Sequence, residues 1–135
     1  MRHLARLAAA SAILCLSAAP AFADKYPVAV FSGLDKTTAR VTSFSVKVDE
    51  PAQFGSLEVL VRACDKRPPE EPPQTAAFLE IRQIDRDDDS VQPAPIFEGW
   101  MFAESPGLNG LEHPVYDIWV TDCKTASGGA STGSE

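Results

Sequence analysis

Apolar and polar residues alternate with a period of two along most of the chain between positions 28 and 121, the pattern of strands that bury one face. Residues 41–48 set Phe44, Val46 and Val48 on one face and Ser43, Ser45 and Lys47 on the other. Residues 57–63 turn Leu57, Val59 and Val61 inward and Glu58 and Arg62 outward. A short run at 28–31 and a longer one at 76–84, carrying Phe78, Leu79, Ile81 and Ile84, extend the series. Residues 96–103 and 115–121 are apolar on both faces, as in central or covered strands. Helical periodicity is nearly absent.

The breaks are equally legible. Ser32-Gly33 and Gln53-Phe54-Gly55 read as turns. The run 66–74, KRPPEEPPQ, cannot join a ladder because proline has no N–H. It reads as a stiff connection between strands, or as a polyproline II surface for a partner. Residues 86–95 form a charged loop ended by proline, and 105–107 and 109–110 break the chain again, with one helical turn expected over 108–112. About six short strands with this punctuation predict an all-β domain, a small β-sandwich or partly open barrel. One position resists the scheme. Strict alternation puts Cys64 outward with Glu58 and Arg62, so either a bulge intervenes or the cysteine lies at the rim of the core.

The first 23 residues follow another pattern. Arg2 and Arg6 precede an apolar run over 7–19, Pro20 breaks it, and Ala21 and Ala23 occupy the two positions a signal peptidase reads. This layout predicts a secretory signal peptide cut after Ala23. A membrane anchor needs about 20 apolar residues, more than this run supplies. A lipoprotein would need a small residue before Cys15, where Leu14 stands. The expected organisation is therefore a cleaved segment at 1–23, a single β domain at 24–123 and a disordered tail at 124–135, in the periplasm and without a transmembrane anchor.

Export changes the counts. Of three cysteines only Cys64 and Cys123 remain, and an even pair in an exported chain reads as a disulfide. Closing a loop of about 60 residues is worth roughly 4 kcal/mol in the chain-entropy account. The formal charge of −7 becomes more negative as Arg2 and Arg6 leave. An acidic chain without a basic cluster is a poor partner for nucleic acid or for an anionic membrane surface.

Candidate chemistry is sparse, and no cofactor motif is present. Asp85, Asp87 and Asp89 begin like a calcium loop, but Ser90 stands where the sharp-turn glycine belongs and Ile96 where the bidentate glutamate belongs. The alternative is a solvated loop tip. Ser105, His113 and Asp117 are the members available for a hydrolase triad, since His113 is the one histidine outside the signal segment. Ser105 lacks the nucleophile elbow and precedes a proline, and a His-Pro pair is more often a turn bonded to backbone. Glu112 with Asp117, or Glu98 with Glu104, are pairs of acids of the kind glycoside hydrolysis uses. Phe97, Trp100, Phe102, Tyr116 and Trp119 crowd into one stretch. On two neighbouring strands Trp100, Tyr116 and Trp119, with His113, would line a binding groove; otherwise they are core.

The stretch 97–123, FEGWMFAESPGLNGLEHPVYDIWVTDC, carries the string GWMFAxSPxLNxLEHPVYD. With GLDKTTARV at 33–41, FGSL at 54–57, Cys64 at the end of the following strand and a proline-rich loop before AFL at 77–79, it resembles a family of exported alphaproteobacterial proteins with a domain of unknown function. The likeness runs over about 30–123. It implies an envelope protein with a pair of cysteines matching Cys64 and Cys123, and it implies no reaction. It makes Trp100, Met101, Ser105, Pro106, Leu111, Glu112, His113, Pro114, Tyr116, Asp117 and Trp119 either a shared surface or one turn that the fold requires. Ala39 stands where many members have glycine. The expected function is a non-enzymatic binding or accessory domain of the cell envelope, serving an envelope protein or a small ligand. The alternatives are a small hydrolase using His113 with Ser105 or Asp117, and a calcium-stabilised module.

Overall fold

The structure, a computed structural model, describes residues 23–125. The expected signal segment up to residue 22 and the tail from residue 126 lie outside the described residues. Eight strands follow in order: β1 (Asp24–Lys25), β2 (Val28–Asp35), β3 (Arg40–Lys47), β4 (Ala52–Phe54), β5 (Leu57–Lys66), β6 (Thr75–Gln83), β7 (Phe97–Phe102) and β8 (Tyr116–Lys124). They form two antiparallel sheets that face each other, an open β-sandwich. One sheet runs β7–β6–β5, with the far edge of β5 shared between β4 at one end and β1 at the other. The second sheet runs β3–β2–β8.

The six expected strands are all present, and the two additional ones are short edge pieces. β1 and β4 have two and three residues, too few to show an alternation. They form because β5 is ten residues long and offers a whole edge of unpaired backbone groups. The same edge is also bonded by the Tyr26 N–H to Cys64 O at 2.8 Å and the Asp49 N–H to Val61 O at 2.8 Å. The helical turn expected over 108–112 does not form; this stretch is bends and irregular chain. Lys124, expected in the tail, is the last residue of β8.

The core lies between the sheets. Phe31, Val46, Leu57, Val59, Val61, Leu79, Ile81 and Val120 are its largest fully buried side chains, beside the two cysteines. Cys64 on β5 and Cys123 on β8 are joined by a disulfide, with their Cα atoms 5.8 Å apart. The bridge therefore ties one sheet to the other. The parity problem at Cys64 is resolved by a bulge. Val61 pairs with Leu79 and Ala63 with Phe78, so Arg62 is an extra residue and Cys64 returns to the inward face. The same device recurs on β8, where Val120 pairs with Phe31 and Asp122 with Val30, leaving Thr121 extra before Cys123. Each cysteine thus stands three residues after a buried valine.

Gly33 does not make a turn. It lies inside β2, paired with Thr42 on one side and Ile118 on the other. The ring of Phe54 rests on its Cα, in the space a Cβ would occupy. The expected turn at 53–55 is likewise half strand, since Phe54 belongs to β4 and only Gly55, at φ 57°, turns the chain.

The actual turn between β2 and β3 is the loop 36–39. It is built by Asp35, whose carboxylate accepts the Thr37 hydroxyl at 2.6 Å and the Thr37 N–H at 2.9 Å. The Thr37 hydroxyl bond holds that carboxyl below the usual carboxylate range. The loop closes on Ala39 at φ 55°, a left-handed conformation that costs an alanine roughly 1–2 kcal/mol. Ala39→Gly should therefore raise stability by roughly 0.5–1 kcal/mol, the relieved strain less the extra unfolded-state entropy. Urea unfolding would show it as a higher midpoint at unchanged slope, and a lower midpoint would contradict the left-handed turn.

Candidate functional site

The aromatic residues expected to share one groove are divided by the sandwich. β7 pairs with β6, and β8 pairs with β2, so Trp100 and Trp119 are not on neighbouring strands. Tyr116 is buried in the core, and Phe97 packs against it. Trp119 alternates with buried Ile118 and Val120 and stands on the outer face of the second sheet, opposite Ser32. Trp100, next to buried Met101, stands on the outer face of the first sheet and remains 38% exposed. The two tryptophans therefore point away from each other.

Trp100 is not alone on its face. Register places Ala63, Phe78 and Trp100 in one row across β5, β6 and β7, and Asp65, Ala76 and Phe102 in the next. Phe78 meets Trp100 edge to face with ring centroids 5.5 Å apart. The Asn109 side-chain amide donates to the Trp100 carbonyl at 2.9 Å, on the open edge of β7. Sequence reading placed Phe102 with Trp100 but missed Phe78. The signal was present, because Leu79 and Ile81 point inward and alternation turns Phe78 outward.

The proline-rich loop 67–74 stands over this face. Its neck is closed by the Arg67 N–H to Gln74 O at 3.0 Å, and the Glu71 N–H reaches Pro68 O at 3.0 Å. At its base Glu104 accepts the Thr75 N–H with both carboxylate oxygens, at 3.1 and 3.0 Å. Between loop and sheet lies a cleft of about 330 Å³, with Ala76, Trp100 and Phe102 as its floor and Asp65, Arg67, Glu71 and Gln74 around it. Arg67 and Glu71 face each other at 3.8 Å, a loose and partly exposed pair. Asp65 Oδ1 is buried and has no hydrogen-bond partner, the one such side-chain atom among the described residues. A second hollow of about 420 Å³ continues past Phe102 to Glu104, Ser105 and Leu108.

His113 is held by its own backbone neighbourhood. Its Nδ1 accepts the N–H groups of Val115 at 3.0 Å and Tyr116 at 3.1 Å. That fixes the proton on Nε2, which donates to Gln83 Oε1 at 3.1 Å. Gln83 in turn donates to Ser56 O, at 3.1 Å, and to the Ser56 hydroxyl, at 3.0 Å. The imidazole also stacks on Tyr116. Neither Ser105 nor Asp117 is bonded to the ring. Asp117 pairs with Lys36 at 2.9 Å, and the Ser105 N–H bonds Phe102 O. Of the paired acids considered, Glu104 is tied to Thr75, Asp117 to Lys36, and Glu98 lies opposite Glu80 on the outer face.

The acidic loop is turned onto itself. Asp85 accepts the Asp87 N–H at 2.8 Å, Asp88 accepts the Ser90 N–H at 2.9 Å, and Asp89 adopts φ 57°. Among the described residues no three His, Cys, Asp or Glu side chains gather as a metal site requires, so Asp85, Asp87 and Asp89 do not assemble a calcium cage.

Burial, with Lys36 as a secondary cause, holds the His113 pKa below its ordinary value. Protonating Nδ1 would also break both backbone bonds. The unfolded chain binds the proton near pH 6.5 and the folded chain binds it only lower. The stabilisation is therefore complete above about pH 6.5 and is lost as pH falls from there toward the folded value. The thermal midpoint should decline between about pH 7 and 5.5, and His113→Gln should flatten that limb. An unchanged slope in the variant would show that the ring titrates alike in both states.

Residues 29–123 match the profile of a family described as an uncharacterised protein conserved in bacteria, DUF2155. A protein of Rickettsia prowazekii (strain Madrid E), named Uncharacterized protein RP359, is 30% identical over 90 residues, 67% of this chain and 56% of the relative. The chain thus spans little more than half the length of that relative. No solved structure matches it. The family match covers both bulged strands, both cysteines, the Trp100 face and His113, and the chain belongs to the DUF2155 family.

Proposed function

We propose that this chain is a non-enzymatic binding or accessory domain of the cell envelope, delivered to the periplasm by a signal peptide cut after Ala23. The observation that carries the reading is the Trp100 face. Trp100 is left 38% exposed beside a cleft rimmed by Asp65, Arg67, Glu71 and Gln74. Exposed aromatic surface with polar groups converging on it favours a ligand or partner. The commitment of both His113 nitrogens to structural bonds supports the same reading, because a general base needs a free lone pair on the imidazole.

The inter-sheet disulfide favours an oxidising compartment. Among the described residues no helix is long and apolar enough to cross a membrane. The protein recovered from the periplasm should begin at Asp24 and show no titratable thiol after denaturation. A retained leader or two free thiols would remove the periplasmic assignment.

Binding and catalysis separate by substitution. In a strain deleted for the gene and scored for envelope integrity, Trp100→Ala should fail to complement at matched protein level, while Ser105→Ala complements fully. Loss with Ser105→Ala and full function with Trp100→Ala would return the hydrolase.

A further inference from the structure

We propose that the cleft between the proline-rich loop and the Trp100 face is a saccharide site, taking one or two pyranose rings of an uncharged glycan. The proposal rests on the binding-domain reading and names the ligand class for its principal cleft. The floor is flat and apolar, made by Trp100, Phe102 and Ala76. A pyranose has one face lined by C–H groups, which stacks on an aromatic ring while its hydroxyls remain free at the rim. The rim supplies what those hydroxyls need: Arg67 and Gln74 donate, and Glu71 and Asp65 accept.

Charge selects among ligands. A simple cation would suit Asp65 and the Trp100 ring but meet Arg67. A simple anion would suit Arg67 but meet both carboxylates. A neutral polyhydroxylated ring satisfies donors and acceptors together. The Asp65 carboxylate stands on the cleft rim as an acceptor for a ligand hydroxyl. The volume of about 330 Å³ falls at the small end of ligand sites, the size of one or two sugar rings rather than a folded partner. Ala23 also lines the cleft, so the expected cut enlarges it beyond that volume and leaves the Asp24 ammonium there as a further donor.

The floor is held in place before any ligand arrives. Phe78 supports Trp100 edge-on, and Asn109 fixes the Trp100 carbonyl. The loop above is stiffened by four prolines and closed at its neck. Such preorganisation lowers the ordering cost of a weak polar ligand.

The test uses the exported protein and two-dimensional NMR of the two tryptophan indoles. The probes are chitobiose, cellobiose and maltose. At least one should shift the Trp100 indole saturably with Kd of order 1 mM, leaving Trp119 unmoved. Trp100→Ala should abolish the response measured at the remaining cleft amides, and Asp65→Asn should weaken it roughly tenfold. Glu98→Gln, on the same face but outside the cleft, should bind as the parent does. Unfolding midpoints near the parent value establish that the variants fold. No saturable shift with any of the three sugars up to about 20 mM would overturn the saccharide assignment. So would equal shifts at both indoles. A photocrosslinker at position 100 separates this from the broader reading. If sugars fail and it captures one defined envelope protein, the domain still binds but the saccharide is removed; if neither occurs, both readings fall.

Discussion

One extra residue in each of two strands governs this domain. A strand that alternates strictly after Val61 would turn Cys64 outward and Asp65 inward. The bulge at Arg62 reverses both. Cys64 enters the core to meet Cys123, itself turned inward by the bulge at Thr121, and the two sheets are bolted together. Asp65 leaves the core and arrives beside Ala76 on the outer face, at the wall of the cleft. The same shift thus builds the cross-link and delivers the carboxylate. Beyond the bulges, Lys66 and Asp122 meet at 2.8 Å on the two bridged strands, and that bond keeps the Lys66 ammonium above its ordinary pKa. The pair is largely solvated and adds little stability by itself.

The opposite end of the sandwich is held by rings rather than sulfur. Phe31, Phe44, Phe54, Tyr116 and His113 follow one another at centroid separations of 5.6, 5.0, 5.6 and 5.3 Å. Two glycines make the column possible. A side chain at Gly33 would enter the Phe54 ring, and one at Gly55 would enter the Tyr116 ring. His113 ends the column and fastens it through Gln83 to the turn at Ser56. The histidine is therefore a connector between the β7–β8 crossover and the sheet, which explains why its position and its proton are both fixed.

Local pattern carried most of the fold and little of the site. Six strands, the disulfide and the cysteine anomaly are visible in residue order because side-chain parity is a local property. The left-handed residue at 39 was not read, because an alanine there carries no local sign of positive φ. Gly33 was misread because one residue type serves two needs, freedom of φ and absence of a side chain, and only the position of Phe54 shows which applies. The aromatic stretch 97–119 was misassigned for a different reason. Its two halves are close in sequence, yet β7 pairs with β6 and β8 pairs with β2. Strand partnership is a long-range choice that spacing does not encode, so neighbouring aromatics went to opposite faces.

The distinction between binding and catalysis comes down to spare capacity. A general base needs a lone pair that substrate can reach. In His113 two backbone donors occupy Nδ1, and Nε2 carries its proton toward Gln83. Asp117 is neutralised by Lys36, and Glu104 is used by Thr75. Among the described residues Asp65 Oδ1 is the one buried side-chain oxygen without a partner, and Asp65 lines the cleft floored by Trp100 and Phe102. Asp65 and Glu71 both stand on the cleft rim, and Arg67, 3.8 Å from Glu71, gives the site polarity in two directions. The bulge at Arg62 thus sets Asp65 on the cleft wall, and the disulfide and the aromatic column hold the two sheets on which that cleft is built.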